Sequence, residues 1–186
     1  MTNNEVYADI DVVDENNQLT GKATDFFDLH NNNLLHRSSQ IWFIEDDNLI
    51  FQKRGKNVKM PGILDASVGG HVDTGESPEA CAVRECFEEV GLKISEDDLG
   101  EEYIFRICEK IKDDWFENEF RHIYFIKRDK FDLTYNDEVE ELVRVPLKDL
   151  KKFHSKNLGI LFSEWSNEYY DFIFSILEKK FNIKFD

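Results

Sequence analysis

Glutamates recur at helical spacing in one short stretch of this 186-residue chain. Glu85, Glu88 and Glu89 are spaced i, i+3 and i+4, which places three carboxylates on one stripe of a helix. Glu76 precedes this acidic stripe and can fold toward it. Like charges on neighbouring turns destabilise a helix unless a cation compensates for them, and clustered oxygen ligands suit Mg²⁺ or Mn²⁺. The spacing therefore predicts a divalent-metal site.

The residues around the acidic stripe predict the helix that carries it. Ser77 is a good N-cap, and Pro78 is tolerated at the first helical position. Gly91 suits the C-terminal stop, so we expect a helix over residues 78–90. Arg84 lies one position off the stripe. We expect it to fix one glutamate from behind rather than to neutralise the stripe directly.

Composition and charge limit the classes of partner. The formal net charge of −16 argues against binding to nucleic-acid polymers or to anionic membranes. A hydrophobic content of 41% without a linker or repeat favours one domain over residues 1–186. The chain has three cysteines, which predict free thiols. It has no apolar run of membrane-spanning length and no signal pattern, so we expect a cytoplasmic protein.

The hydrophobic pattern changes between strand and helix periods along the chain. We expect strands at residues 5–13, 19–23, 39–45, 48–54, 63–69, 101–109, 119–127 and 139–147. We also expect a helical turn from Asp25, a short helix over 147–153 and a terminal helix from Ser163. Residues 110–116 read as a turn or a wider loop. Together these elements predict an α/β fold.

Basic residues concentrate in one loop of this acidic protein. Arg54, Lys56 and Lys59 lie close together in sequence and provide cations that can meet a diphosphate. We therefore expect these three residues to bind the phosphate groups of a substrate. The alternative is that they are ordinary solvated residues on a surface loop.

The stretch from Gly70 to Leu92 resembles the Nudix box. The matching residues are Gly70, Glu76, Arg84, Glu85, Glu88, Glu89, Gly91 and Leu92, with Cys86 a departure at an aliphatic position. The resemblance implies an α/β/α sandwich around a mixed β-sheet, divalent-metal dependence, and hydrolysis of a diphosphate linked to another group. It also implies that the acidic stripe and Gly70 hold the metal and that the stripe and Arg84 act in catalysis.

Several separated segments are similar to isopentenyl-diphosphate isomerases, which share the Nudix fold. His36 and His71 match metal-binding histidines of those isomerases, whereas His30 lies one residue away from the position of a third. Glu117 and Glu119 match an isomerase pair that binds metal, and the second of the pair also acts in catalysis. The resemblance implies a second divalent site, for Mn²⁺ or Zn²⁺, at His36, His71 and these two glutamates.

One departure from the isomerase pattern bears on the reaction. Gly69 stands where the isomerases carry a catalytic cysteine. The loss of that thiol removes one member of the acid and base pair that isomerisation needs. Trp165 matches an aromatic residue that the isomerases place over the substrate, so we expect it to bind substrate. The chain therefore resembles a hydrolase built on an isomerase-like frame.

The leading hypothesis is a metal-dependent hydrolase of an organic diphosphate, nucleoside or similar, in which water attacks phosphorus. Glu119 or one of the helix glutamates serves as the general base, and the sequence does not choose between them. Two alternatives stay open. One is isomerase activity, with Glu119 and a metal-bound water replacing the thiol, and the other is a non-catalytic nucleotide-binding domain. The expected partner is a small-molecule diphosphate, and the family resemblance favours a homodimer.

Overall fold

The computed structural model describes residues 8–112, 114–163 and 166–186. Its strands are β1 (Ile10–Val13), β2 (Leu19–Thr24), β3 (His36–Glu45), β4 (Asn48–Arg54), β5 (Leu64–Asp65), β6 (Val68–His71), β7 (Tyr103–Lys112), β8 (Trp115–Arg128) and β9 (Val139–Pro146). Its α-helices are α1 (Phe26–Asn31), α2 (Pro78–Val90), α3 (Leu150–Asn157) and α4 (Asn167–Phe181). Within these ranges no helix is long and apolar enough to cross a membrane.

Seven of the described strands form one mixed sheet, and β1 and β2 form a separate hairpin. The order in the sheet is β5, β4, β3, β8 and β7, with β6 beside the first half of β3 and β9 beside β4. The central pair β3 and β8 is parallel, and its neighbours are antiparallel. This pairing places His36 directly beside Glu119.

Each face of the sheet carries its own hydrophobic core. Successive residues of a strand point to opposite faces. Ile41 and Phe43 accordingly pack with apolar residues of α2, whereas Trp42 and Ile44 pack with those of α4. The sheet thus lies between two helical layers, and the expected α/β/α sandwich is confirmed.

The prediction was wrong for one strand and for one loop. The strand expected at 63–69 is two short strands, β5 and β6, because Ser67 interrupts the ladder with its side chain. The Ser67 hydroxyl donates to the carbonyl of Ile50 and accepts from the amide of Phe43 at 2.8 Å. The loop expected over 110–116 is largely the continuation of β7 and β8, because Trp115 is drawn into contact with α1 and is only 6% exposed.

Three further boundaries differ from the prediction. Of the strand expected over 5–13, the described part forms a ladder only from Ile10. Leu147–Asp149 is a 3₁₀ turn, and α3 follows it. The terminal helix begins at Asn167 rather than at Ser163, and its Tyr169 is buried in the core. Trp165, predicted to bind substrate, lies outside the described residues.

Candidate active site

Helix α2 has the boundaries that its capping residues predict. The Ser77 hydroxyl accepts a hydrogen bond from the amide of Ala80 at 3.1 Å, and Pro78 occupies the first turn. Gly91 ends the helix in the left-handed conformation, at φ 66°, and its amide donates to the carbonyl of Phe87. The helix is therefore anchored at both ends, which fixes the direction of the acidic stripe.

Arg84 joins the acidic groups of this helix directly, so the expectation that it lies behind a single glutamate was wrong. Its guanidinium makes two hydrogen bonds to Glu76, at 2.9 and 3.0 Å. It also donates to Glu85 at 2.7 Å and to Glu88 at 3.1 Å. A long side chain one position off a stripe reaches residues at i+1 and i+4, which helical spacing alone does not exclude.

Strand β6 supplies the surface against which two of these glutamates rest. A Cβ atom added at Gly70 would lie 2.0 Å from Oε1 of Glu85, so only glycine leaves room for that carboxylate. The amide of Gly69 donates to Glu89 at 3.0 Å, and the amide of the Gln52 side chain donates to its other oxygen at 3.2 Å. Glu88 is the exposed member of the stripe, at 54% of its side chain.

The electrostatics of the stripe fit a bound cation. Burial raises the pKa of Glu85 to about 7, although the Arg84 guanidinium opposes the shift. Burial, followed by the charge of Glu85, raises the pKa of Glu89 well above its usual range. Burial and neighbouring negative charge disfavour the ionised form of these carboxyls. A divalent cation stabilises that form. The donor set is entirely oxygen, which suits Mg²⁺ or Mn²⁺.

The raised pKa of Glu85 makes stability depend on pH in metal-free protein. The pKa of Glu85 is about 7 in the folded protein and lower in the unfolded chain. Between these two pKa values, the folded state binds more protons than the unfolded state. Folding therefore loses stability as the pH rises through that window. In the presence of a chelator, we expect the melting temperature of the wild type to fall relative to Glu85→Gln between about pH 5 and pH 8. A difference that stays constant with pH contradicts this assignment.

A further carboxylate near the stripe was missed by the sequence analysis. The charge of Glu138 contributes to the raised pKa of both Glu85 and Glu89. Asn136 fixes this loop on the C-terminal end of α2, because its amide and side chain donate to the carbonyls of Glu89 and Glu88 at 3.1 Å each. The only signal in the sequence is an acidic residue just before β9, and nothing local connects it with α2.

Three histidines from three elements form a second group, the histidine cluster of His30, His36 and His71. Their ligand atoms lie within 4.8 Å of one another. The Nδ1 atoms of His30 and His36 lie 2.7 and 3.0 Å from the carbonyls of Phe116 and Leu34, respectively, so each is the donor nitrogen. Nε2 of both rings is then an acceptor that faces the cluster. Nε2 of His36 has no hydrogen-bond partner among the described residues.

Two carboxylates lie on one face of β8, and one of them, Glu119, contacts this group. Glu119 lies 3.6 Å from Nε2 of His36 and is paired with Arg121 at 2.7 Å. Burial opposes its ionisation, but the Arg121 guanidinium lowers its pKa overall. Glu117, two residues earlier on the same face, accepts from the indole of Trp115 at 2.9 Å. Burial and the charge of Glu119 raise its pKa to about 7.

The histidine cluster has the chemistry of a transition-metal site. Burial lowers the pKa of all three imidazoles, that of His30 to about 4, so they are neutral at physiological pH and could serve as ligands. An unpartnered, buried Nε2 beside an ionised carboxylate fits a divalent cation, and mixed nitrogen and oxygen donors suit Mn²⁺ or Zn²⁺. The predicted His36, His71 and Glu119 are brought together, and His30 joins them from α1.

The two groups meet through adjacent residues of β6. Gly70 pairs with Ser39 and turns toward α2, so His71, the next residue, turns to the other face. The positive charge of the Arg54 guanidinium acts on both groups, because it contributes to lowering the pKa of Glu89 and of Glu117. The site is therefore one region, with the acidic stripe on one side of β6 and the histidine cluster with Glu119 on the other.

The three residues that were predicted to bind phosphate have different surroundings. Arg54 is held by Asp65, at 3.3 Å, and by the carbonyl of Lys59, at 2.7 Å. Lys56 is exposed on the loop, and its charge acts on Glu140. The Lys59 ammonium lies against aromatic rings beside the histidine cluster. Arg54 is thus the one of the three whose charge acts on both groups.

Comparison with known families assigns the chain. The NUDIX domain model matches residues 34–163, and the chain therefore belongs to the NUDIX family. Nudix hydrolase 3 of Arabidopsis thaliana is 28% identical over 156 residues, which cover 78% of this chain. They cover 20% of that protein, so the chain spans about a fifth of its length. Isopentenyl-diphosphate Delta-isomerase 1 of Photorhabdus laumondii is 27% identical over 149 residues, or 78% of this chain and 84% of that protein.

Solved structures share the fold at low sequence identity. The DR0079 protein of Deinococcus radiodurans has a TM-score of 0.62 at 19% identity, covering 80% of this chain and 89% of that one. The MutT protein of Methanosarcina mazei has a TM-score of 0.55 at 19% identity, covering 78% and 96%. At these identities the similarity establishes the common architecture.

Proposed function

We propose that this protein is a divalent-metal-dependent hydrolase of an organic diphosphate. One observation carries the proposal: Glu85 and Glu89 rest against β6 where a side chain at Gly70 would collide with Glu85. The backbone at Gly70 has room for the Glu85 carboxylate only because glycine lacks a Cβ atom. Burial then disfavours the charged form of that carboxylate, which is unexpected for a solvated acidic surface. It is what a cation-binding site requires.

The chain's own residues have distinct tasks in this reaction. Glu85, Glu88 and Glu89, with the carbonyl of Gly70, would hold Mg²⁺ or Mn²⁺, which supplies charge neutralisation and polarises the phosphate oxygens. Arg84 orients Glu85 and Glu88 through its hydrogen bonds to both. The charge of Arg54 acts on both groups, so Arg54 can neutralise a terminal phosphate.

Glu138 is a candidate for the general base, alongside Glu119 and the helix glutamates. A base for the attacking water must lie beside the carboxylates that hold the metal, and the charge of Glu138 acts on two of them. Glu119 is engaged by Arg121 and His36 on the other side of β6. Glu138→Gln is expected to lower kcat by about a hundredfold at unchanged metal affinity, measured by initial rates and metal titration. An equal loss in Glu119→Gln alone would favour Glu119.

The direct test is a substrate panel followed by phosphorus NMR. Nucleoside diphosphates and triphosphates, nucleotide sugars and prenyl diphosphates are each incubated with Mg²⁺, with Mn²⁺ and with a chelator. We expect new monophosphate signals for at least one class, and only with metal. Cleavage that is equally fast with the chelator contradicts the metal dependence, and an intact panel contradicts the hydrolase assignment for these substrates.

Isomerase-like chemistry is the second candidate, because the histidine cluster with Glu119 resembles the isomerase metal site. The thiol is lacking, since Gly69 occupies its position and Cys81 does not replace it. The Cys81 sulfur lies 3.2 Å from the carbonyl of His71, and burial raises its pKa. We expect isopentenyl diphosphate to keep its double bond under conditions that support hydrolysis. Proton NMR of the methyl region checks this, and dimethylallyl diphosphate in the product would support the isomerase instead.

The remaining expectations about partners follow from the same site. The substrate is a small-molecule diphosphate, and the net charge of −16 opposes binding of nucleic-acid polymers and anionic membranes. A purely nucleotide-binding role is disfavoured, because binding alone does not need three box glutamates, Glu76, Glu85 and Glu88, arranged around Arg84. The homodimer and the cytoplasmic location stay predictions.

A further inference from the structure

The face of the sheet that packs against α4 is polar near the histidine cluster and apolar farther along. Its buried polar side chains are, on β3, His36, Ser38 and Gln40 and, on β8, Glu119 and Arg121. Trp42 and Ile123 are the next residues of this face, and both belong to the apolar core under α4. Burial of a polar group costs free energy unless the group finds a partner, so the partners in this layer show what it holds in place.

Tyr169 reaches this polar layer from α4 and is itself buried. Its hydroxyl accepts from the indole of Trp42 at 3.1 Å and donates to Oε1 of Gln40. An indole nitrogen can only donate, so the hydroxyl proton is left for Gln40 and the direction of both bonds is fixed. The guanidinium of Arg121 lies over the Tyr169 ring, with its central carbon 4.8 Å from the ring centroid. Tyr169 therefore has contacts through its hydroxyl and a separate contact through its ring.

The hydroxyl of Tyr169 connects to Arg54. Because the side-chain oxygen of Gln40 accepts from Tyr169, the amide nitrogen of Gln40 turns to Asp65 and donates to Oδ1 at 3.4 Å. The other oxygen of Asp65 accepts from the Arg54 guanidinium at 3.3 Å. This chain of hydrogen bonds, the hydroxyl path, runs from Tyr169 to the arginine that is proposed to neutralise a terminal phosphate.

The ring of Tyr169 connects to the histidine cluster. Nε of Arg121 donates to Oε1 of Glu119 at 2.7 Å, and the other oxygen of Glu119 lies 3.6 Å from Nε2 of His36. Burial disfavours the charged form of Arg121, but the charges of Glu119 and Asp65 raise its pKa overall. Arg121 therefore stays charged and determines which oxygen of Glu119 faces the cluster. These contacts, from the Tyr169 ring to His36, form the ring path.

We propose that Tyr169 is a positioning residue for both parts of the site. Through the hydroxyl path it fixes the guanidinium of Arg54 for the substrate phosphate, and through the ring path it holds Glu119 against His36. The assignment of Arg54 to phosphate rests on the proposed hydrolase function. A tyrosine that only filled the core would serve as well without its hydroxyl, and its replacement would affect stability alone.

The hydroxyl path is tested with methylenediphosphonate, a diphosphate analogue whose bridging carbon prevents hydrolysis. The analogue is titrated calorimetrically into the protein in Mg²⁺. Tyr169→Phe and Gln40→Ala are each expected to raise its Kd about fivefold, because Arg54 loses its fixed orientation. Tyr170→Phe is the matched control: it removes the neighbouring buried hydroxyl, which donates to the carbonyl of Leu64 at 3.3 Å, and leaves the Kd unchanged. Equal Kd values for Tyr169→Phe and the wild type overturn the proposal.

A double variant separates positioning from general damage to the core. In a protein that already carries Arg54→Ala, Tyr169→Phe has no further effect on the Kd if it acts through Arg54. We therefore expect the double variant and Arg54→Ala to bind the analogue equally. Losses that add in the double variant, or a loss in Tyr170→Phe equal to that in Tyr169→Phe, overturn the proposal.

The ring path is tested by calorimetric titration of Zn²⁺ in excess Mg²⁺, which is present to occupy the acidic stripe. Tyr169→Phe keeps the ring under Arg121 and is expected to retain the Zn²⁺ affinity of the wild type. Tyr169→Leu removes the ring, and we expect Zn²⁺ to bind about tenfold more weakly, as is usual when a group that orients a metal ligand is lost.

A second variant keeps this test decisive if Tyr169→Leu does not fold. Arg121→Lys removes the flat guanidinium that lies over the ring and donates to Glu119, and it is expected to weaken Zn²⁺ binding to a similar extent. Thermal melts in the same buffer establish which variants are folded. Unchanged Zn²⁺ affinity in folded Tyr169→Leu or in Arg121→Lys, or equal losses in Tyr169→Phe and Tyr169→Leu, overturns the proposal.

The readouts also separate this inference from the proposed function. Both titrations measure binding, and neither needs a bond to be cleaved. A wild type that does not bind the diphosphonate contradicts the proposed function and, with it, the hydroxyl path. A wild type that binds the diphosphonate and cleaves diphosphates, with Tyr169→Phe unchanged in binding, refutes the positioning role alone.

Discussion

Replacement of Glu88 by glutamine is expected to abolish turnover without unfolding the protein. The substitution removes one negative charge from the acidic stripe and keeps the side-chain shape. Loss of a metal ligand forfeits several kcal/mol of transition-state stabilisation, and each increment of about 1.4 kcal/mol is tenfold in rate, so kcat is expected to fall about a thousandfold or more. Glu88 is 54% exposed, so its substitution leaves no buried group unpaired.

The control for this prediction is a glutamate of similar exposure outside the site. Glu96 is exposed on a 3₁₀ turn after α2, and Glu96→Gln is expected to retain full activity. Initial rates and thermal melts of both variants check the prediction. If Glu88→Gln is as active as the wild type, the acidic stripe does not hold the catalytic metal.

Gly70→Ala is expected to lower the activity of the enzyme strongly through one methyl group. The new Cβ would lie 2.0 Å from Oε1 of Glu85, so that carboxylate has to move. Displacement of a reacting or positioning group by about 1 Å can cost a hundredfold in rate, and we expect a loss of about that size. The measurement is kcat over a range of Mg²⁺ concentrations, which separates a weakened metal site from a misplaced one.

The adjacent glycine provides the comparison. An alanine Cβ at Gly69 would point to the opposite face of β6 and lie 3.3 Å from Cγ of Gln40, which needs only a small adjustment. Gly69→Ala is therefore expected to lose less than about tenfold in activity. Equal losses in the two variants would mean that the effect is general damage to β6 and not displacement of Glu85.

The sequence was most informative where function and local structure depend on neighbours in the chain. Helix α2 was predicted to the residue, because Ser77, Pro78 and Gly91 encode its ends by backbone chemistry that needs no tertiary context. The interruption between β5 and β6 was not predictable, because it depends on a hydroxyl that bonds two distant strands. The hydrophobic periodicity of a sequence gives no information about a side chain that replaces a hydrogen bond between strands.

The candidate site shows the same limit. The acidic stripe could be predicted because helical spacing brings its members together. Glu138 could not, since a loop about fifty residues downstream carries it to α2. Lys59 was expected to meet phosphate, but its ammonium lies among rings contributed by α1 and β8. His30 fell one residue off a sequence pattern, and the short helix α1 nevertheless brings it to the cluster.

Water is expected to attack phosphorus at the acidic stripe in a metal-dependent reaction. The most direct measurement is phosphorus NMR of the products formed in ¹⁸O-enriched water, because ¹⁸O bonded to phosphorus shifts its resonance upfield. We expect a monophosphate product that carries one ¹⁸O per bond cleaved, formed by the wild type with Mg²⁺ and not by Glu88→Gln. Products without ¹⁸O on phosphorus, or equal product from the variant, would contradict the account.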